Sequence, residues 1–166
     1  VLGTDNLADA HASIVSSGFG VEDLSSGEGS NSHNKAIRRW QNLFLPPELT
    51  RGLFSFIIHH TEAELPSSNY QASCIKKLDH VVINTNDADG FINVYQDVFK
   101  IRLALDKFIE HWKKRMLFFR LNKTTLEVIE NKDEEPANDK LWGLAWEVKN
   151  IDDAYQRLVK EGVNIT

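Results

Sequence analysis

The chain has 166 residues, 42% hydrophobic and 26% charged, with a formal net charge of -5 and a single cysteine. That balance suits a globular protein with a real core, and the absence of a Lys/Arg stripe argues against a nucleic-acid partner. The longest apolar run, roughly Gly52 to Ile58, is far too short to cross a bilayer, and Cys74 alone allows neither an intrachain disulfide nor a CxxC site.

In chain order, Val1 to Thr4 reads as a strand remnant and Asp5-Asn6 as a polar cap. Leu7, Ala10, Ile14 and Val15 then follow at helical spacing, and Gly18 closes the helix. Val21 to Leu24 reads as a strand. Ser25 to Lys35, rich in Ser, Gly and Asn, reads as a mobile loop with a solvated His33. Arg38 to Leu45 is the next strand, Pro46-Pro47 breaks the chain at a turn, and Leu53 to His60 is the last strand of this group. A polar stretch from Thr61 to Ser73 reads as a linker.

The segment from Leu78 to Glu130 is the most complete unit. Leu78 to Asn84 is a β-branched strand carrying His80, and Thr85-Asn86-Asp87 offers helix caps. Phe91, Val94, Tyr95 and Val98 mark an amphipathic helix. Strands follow around Ile101 to Leu105, at Lys114 to Leu121 and at Thr124 to Glu130, giving the order β-α-β-β-β. After a second linker over 132–140, Leu144 to Val148 and the helix from Ile151 open the same pattern again, with Gly162 standing where Gly18 stands in the first copy. Asp152 and Asp153 fall in the first turn of that helix, where negative charge suits the helix dipole. The organisation expected is a module over 1–60, a linker over 61–77, a module over 78–131, a linker over 132–140 and an opening strand and helix over 141–166. Starting at Val1 and stopping at Thr166, the chain reads as a piece of a longer product.

Three stretches carry a family likeness: Leu-Asp-His-Val-Val-Ile at the head of the middle unit, Val-Tyr-Gln-Asp-Val-Phe-Lys-Ile at its helix end, and Thr-Leu-Glu-Val-Ile in its last strand. With the βαβββ order they resemble the vicinal oxygen chelate superfamily, which includes glyoxalases, bleomycin-resistance proteins and extradiol dioxygenases. Phe99-Lys100 replaces the Leu-Gly common there. The resemblance implies an α+β fold of repeated βαβββ modules forming a cupped mixed sheet with helices outside. It also implies a small oxygenated substrate and a divalent metal such as Fe, Mn, Ni or Zn held in the cup.

His80 matches the superfamily's first-strand ligand and Glu127 its last-strand ligand, Glu127 doubling as a candidate base. The partner position falls on Gly143, which has no side chain to coordinate, and Ser55 falls opposite Glu127 in the first module. His59, four residues beyond Ser55 and in phase with it, is the remaining candidate ligand; a strand end meeting solvent is the alternative for it. Trp40, Arg115, Phe119 and Trp146 are candidates for lining the cup, against ordinary core packing. The expected function is a glyoxalase- or dioxygenase-like enzyme, the alternative being a non-catalytic binding or resistance protein. No GxSxG, Walker, Rossmann or HExxH pattern is present. A cytoplasmic homodimer, joined through strand edges left open by the third module, is the expected setting.

Overall fold

In the computed structural model the described residues are 1–62, 75–133 and 138–166. Cys74, nearly all of the first linker and the middle of the second lie outside them. Nine strands, β1 (Leu2–Gly3), β2 (Ser25–Ser30), β3 (Ile37–Phe44), β4 (Phe56–Glu62), β5 (Ile75–Thr85), β6 (Arg102–Ile109), β7 (Lys114–Leu121), β8 (Thr124–Glu130) and β9 (Lys140–Val148), make two sheets among these residues. The helices are α1 (Leu7–Ser16), α2 (Pro47–Thr50), α3 (Ala88–Ile92), which continues as a π-helical segment (Asn93–Val98), and α4 (Ile151–Lys160).

The first sheet runs β1-β4-β3-β2 and the second β6-β7-β8-β5-β9. In each, the strand before the helix pairs in parallel with the last strand of its unit, and the remaining strands run antiparallel. The same winding is therefore used twice. β9, opening a third round, pairs antiparallel with β5. This is the mixed α+β architecture expected, and the three long helices start on caps, Asn6 and Asp87 among those read from the sequence and Asn150 beside them, each accepting a backbone N–H.

Two local expectations need correcting. Val21 to Leu24 forms no strand, and the supposed mobile loop holds β2. The reason is Trp40, which pairs across from Gly27 on β3. Its indole lies so close over Gly27 that an added Cβ would collide with the ring. Here glycine makes room for an aromatic cover, which supplies the packing that a Gly/Ser strand otherwise lacks. Pro46-Pro47 does more than turn the chain: it starts α2, with Pro in the first turn where its missing N–H costs nothing.

One core cluster joins β5, β7 and β8 to α3, with Phe91, Phe119, Leu117 and Val128 fully buried. Tyr95 lies flat on Phe91, ring centroids 3.9 Å apart. The second cluster, around Ile14, Leu43 and Leu49, receives Val94 and Val98 from the π-helical segment and Phe99 just after it, so the two halves share one helix. A polar clasp reinforces that junction. Arg51, in a left-handed conformation after α2, donates to Asp139 at 3.0 Å, to Asp87 at 3.0 Å and to Thr85 at 3.3 Å. Burial raises the Asp139 carboxyl above the usual range although Thr85 and Arg51 oppose it. Gly90 leaves room for this clasp, since a Cβ there would press on the ends of the Asp87 and Arg51 side chains. No helix of the described residues is long and apolar enough to cross a membrane.

Candidate functional site

Strand alternation decides what each face of the second sheet offers. Val81 and Ile83 of β5, Leu117 and Phe119 of β7, and Leu126 and Val128 of β8 point to α3 and form the core. The intervening residues, His80 and Val82 on β5 and Thr125 and Glu127 on β8, share the opposite face, with His80 level with Thr125 and Val82 level with Glu127. His80 and Glu127 are thus diagonal neighbours. Their Nε2 and Oε2 atoms stand 3.8 Å apart, and the side chains remain 31% and 21% exposed. Such a pair is reachable from solvent and partly shielded from it.

On its other side the His80 ring meets Asp79, Nδ1 to Oδ2 at 3.1 Å. The second Asp79 oxygen accepts from Lys77 Nζ at 3.1 Å, and Lys77 continues to Glu147 at 3.5 Å. The hydrogen bond to His80, and after it that from Lys77, hold the Asp79 carboxyl below the usual carboxylate range. Asp79 was not singled out from the sequence. The available signal was a carboxylate wedged between Lys77 and His80 inside an otherwise apolar strand.

The other residues read from the sequence are not gathered at this pair. His59 stands on β4 of the first sheet, across from Gln41, and no group of three or more His, Cys, Asp or Glu able to hold a metal forms among the described residues. Trp40 covers the glycines of β2. Arg115 belongs to the helix side, held by Asp106 and by Asp89 of the α3 first turn, at 2.8 Å each. Phe119 is fully buried beneath α3. The parity of β7 explains both departures, since its odd-numbered positions face the helix. Trp146 is half-exposed on β9, opposite Leu78 and in phase with Leu144, so it lies on the helix side and not beside His80.

The alignment of Ser55 with Glu127 also shifts. Leu2 precedes Leu7 by the distance at which Ile83 precedes Ala88, and the ladders pair Leu2 with Ile57 and Ile83 with Val128. One residue earlier in each strand, the counterpart of Glu127 is Phe56, packed against Phe44 with centroids 5.4 Å apart. The first sheet therefore repeats the winding without repeating the carboxylate. Gly143 lies opposite Val82, on the His80 face, and a Cβ built there would meet nothing within 4 Å.

The donor set suits a divalent cation in chemistry and in span. Imidazole and carboxylate are both ordinary ligands, and a separation of 3.8 Å can be bridged by two bonds of roughly 2.1 Å each. They would fill two of the protein positions such a cation needs. A separate cavity of about 1500 Å³ lies on the helix side, between the two sheets, lined by Leu2, Ile58, Val81, Tyr95, Leu126 and Leu144 among others. Its walls are mainly aliphatic and aromatic, and the convergent charged groups that mark a reactive site lie on the opposite face.

The sequence model of the Glyoxalase/Bleomycin resistance protein/Dioxygenase superfamily matches residues 77–166. Among solved structures, the chain is similar to methylmalonyl-CoA epimerase from Mycobacterium tuberculosis, at 22% identity over 56% of this chain and 69% of that one, with a TM-score of 0.48. It is also similar to a variant Streptomyces coelicolor methylmalonyl-CoA epimerase in complex with 2-nitronate-propionyl-CoA, at 16% identity over 54% and 74% of the two chains, TM-score 0.46. No curated protein matches the chain. The matched segment, more than half of the sequence, runs from the His80 strand through the Glu127 strand to α4, and the chain belongs to the glyoxalase/bleomycin resistance protein/dioxygenase superfamily.

Proposed function

We propose that this protein is a glyoxalase- or dioxygenase-like enzyme acting on a small oxygenated molecule at the open face of its second sheet. The observation that supports this reading is the approach of His80 Nε2 and Glu127 Oε2 to 3.8 Å on one accessible sheet face. A divalent cation of the Fe, Mn, Ni or Zn kind, when bound, supplies Lewis-acid polarisation to a chelated pair of oxygens. His80 and Glu127 are the residues we assign to hold it, and the Glu127 carboxylate is the candidate base for a proton on the carbon next to a substrate carbonyl. The units 1–60, 78–131 and 141–166 are the proposed modules.

Gly143 favours a second reading, a non-catalytic small-molecule binder. It leaves open space where a further donor would complete a metal site. The two readings separate in glyoxalase-type isomerisation and ring-cleaving dioxygenase assays on protein loaded in turn with each of the four metals. The enzyme reading expects turnover in at least one, falling by roughly 100-fold or more in Glu127→Gln. Absence of turnover with every metal, combined with saturable binding of small dicarbonyls or catechols, would replace it with the binder.

A further inference from the structure

Residues next to each other in a strand point to opposite faces, so a carboxylate and an imidazole at consecutive positions ordinarily cannot meet. Asp79 and His80 do meet, and the ladder shows how. Between β5 and β9, Leu78 lies opposite Trp146 and His80 opposite Ala145, which leaves Asp79 with no residue across from it. This is a β-bulge: one strand carries an extra residue, bends, and re-aims a side chain. The extra residue is Asp79, and its Oδ2 reaches His80 Nδ1 at 3.1 Å. Lys77 Nζ takes the other carboxylate oxygen at 3.1 Å and also donates to the Lys123 carbonyl at 3.2 Å, so the carboxylate is tethered at both oxygens.

We propose that Asp79 is the positioning residue of this site: through the bulge it fixes His80 in the tautomer protonated at Nδ1, turning the Nε2 lone pair toward Glu127 and the open face. An ionised carboxylate only accepts hydrogen bonds, so the proton between Asp79 and His80 belongs to Nδ1. In the neutral ring this leaves Nε2 an acceptor, facing Glu127 Oε2 at 3.8 Å. A cation or a hydrogen-bond donor placed between the two would satisfy both at once. The bulge thereby turns two adjacent strand residues into a device that presents an electron pair, the arrangement by which outer partners orient metal-ligating histidines. The inference deepens the proposed function and rests on His80 being its reacting donor.

The test is nitrogen NMR of the imidazole rings on the metal-free chain at about pH 8, above the usual histidine range, in wild type, Asp79→Ala and Asp79→Asn. The expected result is a wild-type His80 protonated at Nδ1 and bare at Nε2. In Asp79→Ala the proton should move to Nε2, the form a solvated histidine favours, while Asp79→Asn, whose amide oxygen still accepts, should retain much of the wild-type tautomer. A parallel titration with zinc should show affinity lower by roughly 10- to 100-fold in Asp79→Ala. A wild-type His80 carrying its proton on Nε2, or on both nitrogens, overturns the proposal, as does an Asp79→Ala protein with the wild-type tautomer. Should Asp79→Ala fail to fold, the wild-type and Asp79→Asn spectra decide between the same outcomes. A protein that binds no zinc and yet shows the Nδ1–H tautomer, lost in Asp79→Ala, upholds the positioning role while removing the metal from the proposed function.

Discussion

At the scale of single residues, His80 and Glu127 were legible through the family likeness of the two strands that carry them, and the ladder sets them diagonally, Nε2 to Oε2 at 3.8 Å. Phe119 and Arg115 went to the helix side, read with the wrong parity: nothing in the β7 sequence, with apolar residues at Met116 through Phe119, says which face is which. Asp79 was hidden because a bulge is a property of the ladder and not of one strand's sequence. The caps were readable, and Asp87 gives a prediction. Its carboxylate accepts from the Gly90 N–H at 2.9 Å and from Arg51 at 3.0 Å. The Gly90 bond foremost, then Arg51, hold its carboxyl below the usual range, against burial, which raises it. A depressed folded pKa contributes stability above the unfolded value of about 3.9, and that contribution is lost as pH falls through the folded one. Asp87→Asn keeps a capping side chain and removes the charge. Since Asp87 is half-exposed, the expected deficit is under about 1 kcal/mol at neutral pH, closing in acid. Urea midpoints of both proteins at neutral and acid pH measure it; a deficit unchanged in acid contradicts the assignment.

At the scale of elements, the strands with β-branched and aromatic residues were legible and β2 was not. Propensity places Ser-Ser-Gly-Glu-Gly-Ser in a loop, and only the Trp40 cover, a contact made after the fold forms, overrides it. The glycine of β9 matters more for chemistry. Gly143 shares the His80 face and borders open space, so a side chain can enter there without displacing a neighbour. Gly143→His is therefore expected to fold normally and to bind zinc or nickel at least 10-fold more tightly than the parent chain, as a third donor joins the two present. Calorimetric titration reads this directly. Unchanged affinity in a folded variant would mean that position 143 does not converge on His80 and Glu127.

At the scale of the whole molecule, the repeated winding organises everything: one round provides the β1-β4-β3-β2 sheet, a second the sheet bearing His80 and Glu127, and a third opens with β9 and α4. β9 is the outer strand of its sheet, and Trp142, Leu144 and Trp146 on it, with Ile151 and Tyr155 of α4, are exposed. We propose that a second copy of the chain pairs along this edge, where the outer strand of the described sheet and apolar side chains lie together. Light scattering should give a dimer that Trp142→Lys dissociates, whereas a strict monomer at high concentration would contradict it. The central claim concerns the face this edge borders. Elemental analysis of protein purified without chelators or a His-tag, beside His80→Ala, tests it most directly. The account predicts near-stoichiometric divalent metal in the parent and its loss in the variant. No metal in either protein, even after incubation with iron, manganese, nickel and zinc, would contradict the metal-assisted enzyme and leave the small-molecule binder in its place.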